Sequence, residues 1–306
     1  MRKPRALRPG DQVRVVSPAS PLKPEQIEKG VLFLESQGYA VSIARHAFDA
    51  DGYLAGSDDD RARDLQDAFE DPDVQCVFCS RGGYGCARLL TRLDIDKMAR
   101  SGKMFCGFSD VTTLHLALNR RGLATFHTPM LISLSVDRDQ WVYDSLAGLL
   151  AGESSVPGGA PTGETLVPGT AEGVLTGGCL SLLADGIGTP DALETVGKIV
   201  LIEDVDEKPQ RVDALLTHFL NLGLLQAAEG LVIGEMSRTD DLLDSSKGEW
   251  PWRKIIEDRI GDLGVPSVVN FPFGHMKGML SLPLGVQARL DANKGTLEIL
   301  ETPCAD

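Results

Sequence analysis

No uncharged apolar stretch in this 306-residue chain approaches the roughly 20 residues that a membrane-spanning helix needs, so a helical membrane anchor is not expected. The first ten residues carry positive charge but pass into Asp11-Gln12-Val13-Arg14-Val15-Val16 and stop at Ser17-Pro18. That run is too short for the apolar core of a secretory leader. Positive charge is scarce: 30 Lys and Arg stand against 44 Asp and Glu, a formal net charge of -14. An average surface of that sign repels polyanions, which argues against nucleic acid and anionic membranes as partners. The cysteines are few too. Cys76, Cys79, Cys86, Cys106, Cys179 and Cys304 lie mostly inside apolar runs rather than in a compact framework, which fits a reducing cytoplasm. Cys76-x-x-Cys79 has redox or zinc spacing, but it lies in Val-Gln-Cys-Val-Phe-Cys, where a strand buries alternate residues, and no second Cys or His pair accompanies it. There is no HExxH or comparable ligand set and no internal repeat, so neither a metal nor a cofactor is expected.

What is present is ordinary for a globular enzyme: 42% hydrophobic and 24% charged residues over a length sufficient for two domains. Residues 1–150 read as alternating strands and helices. Strands are expected at 13–16, 39–44, 74–79 and 104–108, and an acidic-start helix opens where Ser57 or Asp58 caps it. This alternation predicts an α/β fold with a parallel sheet and a ligand crevice at the carboxyl ends of the strands. Residues 151–170 turn to Gly, Pro, Ser, Thr and Glu and are expected to form a linker. Residues 171–306 form a second domain, with a buried strand at 198–202, a helix over 210–220 and further strands near 231–233, 283–290 and 295–300.

Four stretches carry chemistry. In Gly107-Phe108-Ser109-Asp110-Val111 a strand meets a helix, and a serine on such a turn lifts its hydroxyl clear of the sheet beside backbone N–H groups able to hold an oxyanion. Ser109 or Asp110 could equally cap the helix, and Val111 occupies the second glycine place of G-x-S-x-G. Ser80-Arg81-Gly82-Gly83-Tyr84-Gly85 is a glycine-rich turn without the Lys-Ser/Thr ending of a phosphate loop. Its glycines suit either close approach of backbone N–H to a reacting carbonyl or a plain tight turn, and Arg81 suits a carboxylate. Leu201-Ile-Glu203-Asp-Val-Asp-Glu207 is an acidic loop, solvated or functional, in which Glu203 is the first residue past a buried strand. In Asn270-Phe-Pro-Phe-Gly274-His275, His275 is the one histidine of five in a glycine-flanked loop, the setting of a general base or of a surface histidine. In chain order the candidates are Ser109, Glu203 and His275, the serine–acid–histidine order of several hydrolases.

Seven short stretches together resemble the LD-carboxypeptidase family of serine peptidases, which includes murein tetrapeptide carboxypeptidases and microcin C self-immunity hydrolases. They are Gly52-Tyr-Leu-Ala-Gly56, Arg81-Gly-Gly-Tyr-Gly85, Gly107-Phe-Ser-Asp110, Thr125-Phe-His-Thr-Pro-Met130, Gly177-Gly-Cys-Leu-Ser-Leu-Leu183, Leu201-Ile-Glu-Asp-Val-Asp-Glu-Lys-Pro209 and Phe271-Pro-Phe-Gly-His275. The resemblance implies a nucleophile at Ser109, a general base at His275, an orienting acid at Glu203, and an oxyanion hole built from the backbone N–H groups of Gly83 and Asp110. It also implies a flavodoxin-like first domain, a β-rich second domain, a cytoplasmic location and a homodimer. Cys179 stands where the family usually has Asn, and Thr128 where it usually has Gly. The implied substrate is a small peptide, a murein tetrapeptide that loses its terminal D-alanine during cell-wall recycling. The alternatives are hydrolysis of peptidyl or aminoacyl sulfamoyl-adenylates, with Trp250 or Trp252 as the aromatic clamp, or a silent protein that binds an anionic ligand.

Overall fold

The computed structural model describes residues 1–305; Asp306, the last residue of the expected second domain, lies outside them. The chain divides into two compact units. The first holds Met1–Pro157 together with Leu280–Gly285 and the segment from Thr302, and the second holds Gly158–Met279 and Val286–Glu301.

In the first unit strands and helices alternate: β1 (Gln12–Val16), α1 (Glu28–Ser36), β2 (Ala40–Ile43), α2 (Asp58–Glu70), β3 (Val74–Cys79), α3 (Ile95–Ser101), β4 (Met104–Gly107), α4 (Thr112–Arg120), β5 (Thr125–His127) and α5 (Gln140–Leu150). The start of α2 shows the local logic. The Ser57 hydroxyl accepts from the Asp60 N–H at 3.1 Å, and three aspartates in the first turn face the positive end of the helix dipole. Ala62, Leu65, Ala68 and Phe69 form its buried stripe, and the helix ends before Pro72. The β1 to β5 strands pair in parallel in the order β5-β4-β3-β1-β2. This flavodoxin-like order has its switch point between β1 and β3, and doubly wound sheets bind ligands outside the carboxyl ends of the strands at such a point. Val13, Val15, Phe78, Met104 and Phe126 fill the core beneath it with Leu34 and Leu146.

The second unit is built on β6 (Glu164–Val167), β7 (Thr170–Cys179), α6 (Leu180–Asp185), β8 (Lys198–Val205), α7 (Pro209–Asn221), β9 (Gly230–Ser237), α8 (Trp252–Ile260) and β10 (Ser267–Val269). After β11 (Leu282–Leu284), which belongs to the first unit, β12 (Gln287–Asp291) and β13 (Thr296–Ile299) complete it. Its seven-stranded sheet runs β13-β12-β7-β8-β9-β10-β6. The four central strands are parallel, and β6, β12 and β13 are antiparallel additions.

Three expectations are corrected. The stretch 151–170 is not all linker, since β6, a short run with β-branched Thr165 and Val167 inside the Gly- and Pro-rich segment, pairs with β10. The expected strand over 283–290 is two strands, split at Gly285 (φ +87°): β11 pairs with β5 in the first sheet and β12 with β7 in the second. The acidic stretch is not a loop from Glu203 onward, because β8 continues through Glu203 and Asp204 to Val205.

Candidate active site

The loops that follow β1, β3 and β4 lie at one edge of the first sheet and are tied to one another. Ser80 N–H donates to the Val16 carbonyl at 2.9 Å, and the Ser17 and Ser80 hydroxyls are hydrogen-bonded at 2.7 Å. Gly82 O accepts from Ser20 N–H at 3.4 Å, and Ser20 Oγ accepts from Tyr84 N–H at 3.1 Å. Arg61, wholly buried on α2, reaches the carbonyls of Pro18 and Gly85 with Nη1 while its Nη2 pairs with Asp58. The one sequence signal for Arg61 as the brace of this loop is a charged residue one turn before Leu65, in line with the buried stripe of α2.

Ser109 follows β4 with φ +66°, a left-handed conformation that costs a non-glycine residue about 1–2 kcal/mol. A capping serine would be extended; here Phe108 holds the extended place and Ser109 forms the sharp turn, partly exposed above the sheet. Gly82 packs against it so closely that a methyl there would lie 2.9 Å from Ser109 Cβ and 3.3 Å from the Asp110 backbone N. Gly83, at φ +118°, has no room for a side chain either, since a methyl would meet Ser20 Oγ at 2.3 Å. The buried Asp110 carboxylate accepts from Cys86 N–H at 2.8 Å, and burial raises its pKa. Asp110 thus anchors the far end of the glycine-rich loop instead of capping α4. That loop continues into a 3-10 turn, Cys86–Leu89.

Behind the turn, His115 on α4 is buried and bonds Gly107 O through Nε2 at 2.8 Å and Thr125 Oγ1 through Nδ1 at 2.9 Å. A carbonyl only accepts, so Nε2 carries the proton and Nδ1 accepts from the threonine hydroxyl. Burial pushes the His115 pKa down to about 4, which keeps it neutral and structural. Cys76 and Cys79 are buried thiols on β3, with Cys76 Sγ 3.9 Å from Cys106 Sγ.

In the second unit Glu203 and His275 are brought together. Glu203 lies on β8 with no exposed side-chain surface, and its Oε2 accepts from His275 Nδ1 at 2.6 Å and from the His275 backbone N–H at 3.1 Å. Two glycines make the slot. A methyl on Gly274 (φ +89°) would lie 2.5 Å from Glu203 Cγ, and one on Gly234 would lie 3.1 Å from Glu203 Cβ. The buried rings of Phe271 and Phe273 hold the histidine loop, whose Phe271 N–H donates to Ile233 O on β9 at 3.0 Å. Burial presses the His275 pKa down, but the charges of Glu203, Asp204 and Asp206 outweigh it, and the net shift is upward. The remaining acids divide by environment. Asp204 is buried and accepts from the N–H groups of Ser181 and Val205, at 2.7 and 2.8 Å, and from Cys179 Sγ at 3.2 Å. Asp206 pairs with Arg238 at the surface. Thr128 is buried, its N–H donating to Gly107 O at 3.2 Å. Trp250 has Lys254 over its ring and lines a cavity between α7 and α8 with Gln210, Glu249 and Arg259, whose lining includes neither Glu203 nor His275. Trp252 opens α8.

Among the described residues no helix is long and apolar enough to cross a membrane, and no group of three His, Cys, Asp or Glu is placed to hold a metal ion. Profiles of the LD-carboxypeptidase N-terminal and C-terminal domains match residues 13–128 and 172–290. A Bacillus subtilis protein named a probable murein peptide carboxypeptidase is 35% identical over 302 residues, covering 97% of this chain and 94% of the relative. A Pseudomonas aeruginosa murein tetrapeptide carboxypeptidase is 31% identical over 297 residues, covering 92% of this chain and 94% of the relative. The structure of MccF in complex with glutamyl sulfamoyl guanosine superposes with a TM-score of 0.89 at 22% identity over 100% of both chains, a likeness of fold.

Proposed function

Because this chain belongs to the LD-carboxypeptidase family of serine peptidases, we propose that it releases the terminal D-alanine of murein tetrapeptides, with Ser109 as nucleophile, His275 as general base and Glu203 as orienting acid. The observation that carries the reading is the Glu203–His275 pair: a buried carboxylate accepting from Nδ1 fixes the tautomer in which Nε2 acts as base. In this reading Nε2 takes the Ser109 hydroxyl proton as Oγ attacks the scissile carbonyl. The backbone N–H groups of Gly83 and Asp110 hold the resulting oxyanion. The imidazolium, stabilised by Glu203, then gives its proton to the leaving amine of D-alanine. Water enters, His275 takes a proton from it as the hydroxide adds to the acyl carbonyl, and when the C–Oγ bond breaks the imidazolium returns the proton to Ser109 Oγ, freeing the shortened peptide and the enzyme. No step calls for a metal or cofactor.

The strained φ of Ser109 and the glycine at position 82 support its assignment, since both expose Oγ and the following N–H to an incoming carbonyl. We place the reaction in the cytoplasm, in the recycling of cell-wall peptides, and in a homodimer, on the strength of the resemblance in sequence. Parallel incubation with a murein tetrapeptide and with an aminoacyl sulfamoyl-adenylate, read by mass spectrometry, tests the substrate. Loss of one alanine from the tetrapeptide supports the proposal. Cleavage of the sulfamoyl-adenylate alone replaces it with the immunity-type reaction, and cleavage of neither, with both ligands bound, leaves a binding protein.

A further inference from the structure

Arg81 lies two residues before Gly83, on the loop that packs over Ser109. Its Nη1 donates to Pro21 O at 3.0 Å and its Nε to Gly82 O at 3.1 Å. Both acceptors are neutral carbonyls, so the guanidinium is fixed in orientation while its charge stays uncompensated. Among the described residues it pairs with no carboxylate, although the chain has 44 and the neighbouring Arg61, Arg88 and Arg92 all converge on Asp58. A half-buried cation kept from its counter-ions in an acidic protein suits an anion that arrives with a ligand.

Its position selects the anion. A methyl on Gly83 would lie 3.8 Å from Arg81 Nη2, and one on Gly82 would lie 2.9 Å from Ser109 Cβ. In a peptide whose last residue is the leaving group, the terminal carboxylate carbon lies only about 3–4 Å from the scissile carbonyl carbon, by standard backbone dimensions. With the carbonyl carbon over Ser109 and its oxygen at Gly83 N–H, that carboxylate comes within reach of Nη2, the guanidinium nitrogen not spent on the loop. We propose that Arg81 is a specificity-determining residue that binds the free terminal carboxylate of the leaving residue and so confines cleavage to the last peptide bond. The inference rests on the peptidase reading and adds the group that makes the enzyme an exopeptidase.

The test is a cycle of two enzymes and two substrates. Wild type and Arg81→Gln, matched by circular dichroism, are assayed for kcat/KM on a murein tetrapeptide and on the same peptide with a C-terminal amide. Wild type is expected to prefer the acid by on the order of 10- to 100-fold, the range of a charge-assisted hydrogen bond. Arg81→Gln loses that factor on the acid, chiefly through KM, and stays within about threefold of wild type on the amide, so the preference collapses. Equal losses on both substrates show that Arg81 only braces the loop and overturn the proposal, as does a wild type indifferent to the amide. If wild type cleaves neither peptide while hydrolysing a sulfamoyl-adenylate, the peptidase reading itself has failed and the anchor falls with it.

Discussion

Replacing Glu203 by Gln removes a charge while leaving the shape of its slot. In many triads the amide can turn its NH2 toward the histidine and trap the wrong tautomer. Here that turn is blocked, because the same Oε2 accepts from His275 Nδ1 at 2.6 Å and from the His275 backbone N–H at 3.1 Å, and a backbone N–H cannot become an acceptor. The Gln carbonyl oxygen therefore takes the Oε2 place. Its NH2 takes the place of Oε1, a buried atom without a hydrogen-bond partner among the described residues. Tautomer and ring orientation survive, and what is lost is the attraction between carboxylate and imidazolium. Two unit charges about 4 Å apart attract by about 4 kcal/mol at an effective dielectric of about 20, an upper bound of about 10^3 in rate. Since the proton is only partly transferred in the transition state, kcat should fall by roughly 10^2 to 10^3 with KM nearly unchanged. A second readout follows from the same loss. Burial alone lowers the His275 pKa, and it is the acidic neighbours that raise it, so the acid limb of kcat/KM should move to lower pH in the variant. Steady-state rates of D-alanine release across pH give both numbers. A variant within threefold of wild type, or an acid limb displaced to higher pH, would refute the role given to Glu203.

In wild type the general base must be neutral, so kcat/KM should fall as pH drops through a His275 pKa lying above 6.5, and titration of activity between pH 5 and 9 would contradict this if the limb fell below 6.5. The sign for stability is opposite. A folded pKa raised above the unfolded value makes His275 stabilising below pH 6.5, a contribution lost as pH rises through the folded pKa, and urea titrations of wild type against His275→Ala should show their difference shrinking over that window. Gly274→Ala combines φ +89° with a methyl 2.5 Å from Glu203 Cγ, so it should cost about 1–3 kcal/mol of stability by chemical denaturation and displace the Glu203–His275 pair, with a larger proportional loss in kcat than in binding. Gly82→Ala has no such backbone penalty, yet its methyl would crowd Ser109 and the Asp110 N–H. It should cost about 1–3 kcal/mol of stability by overpacking, still fold, and lose kcat by at least 10-fold, as measured by D-alanine release at matched folded concentration.

The centre of the first unit was legible because β3 and β4 are short, nearly continuous apolar runs between helical patterns, which is what burial on both faces demands, whereas β5, only Thr125-Phe-His127, carries no such signal and was not expected. Where the sequence misled, distant partners decided. Strand propensity would end β8 at Ile202, but Asp204 is satisfied by Ser181 and Val205 N–H groups and Glu203 by the His275 loop, so the ladder carries two carboxylates inward. The alternation from Leu282 to Asp291 looks like one strand, and only the positive φ of Gly285 and two separate edges to pair with split it. The candidate site showed through wherever a residue type was chemically unusual for its setting, as with a histidine between glycines or a serine at a strand end. Its supports were harder to see: helical periodicity explains the buried His115 behind Gly107 without remainder, and the apolar members of the α2 stripe define that helix without Arg61, the brace beneath the glycine-rich loop.

The central claim, that Ser109 forms the bond to the scissile carbonyl, is tested most directly by the rate of D-alanine release from murein tetrapeptide in Ser109→Ala, at equal folded concentration by circular dichroism. Removing the attacking oxygen should lower kcat by about 10^4-fold or more while tetrapeptide still binds. Turnover within 10-fold of wild type would show that the nucleophile lies elsewhere.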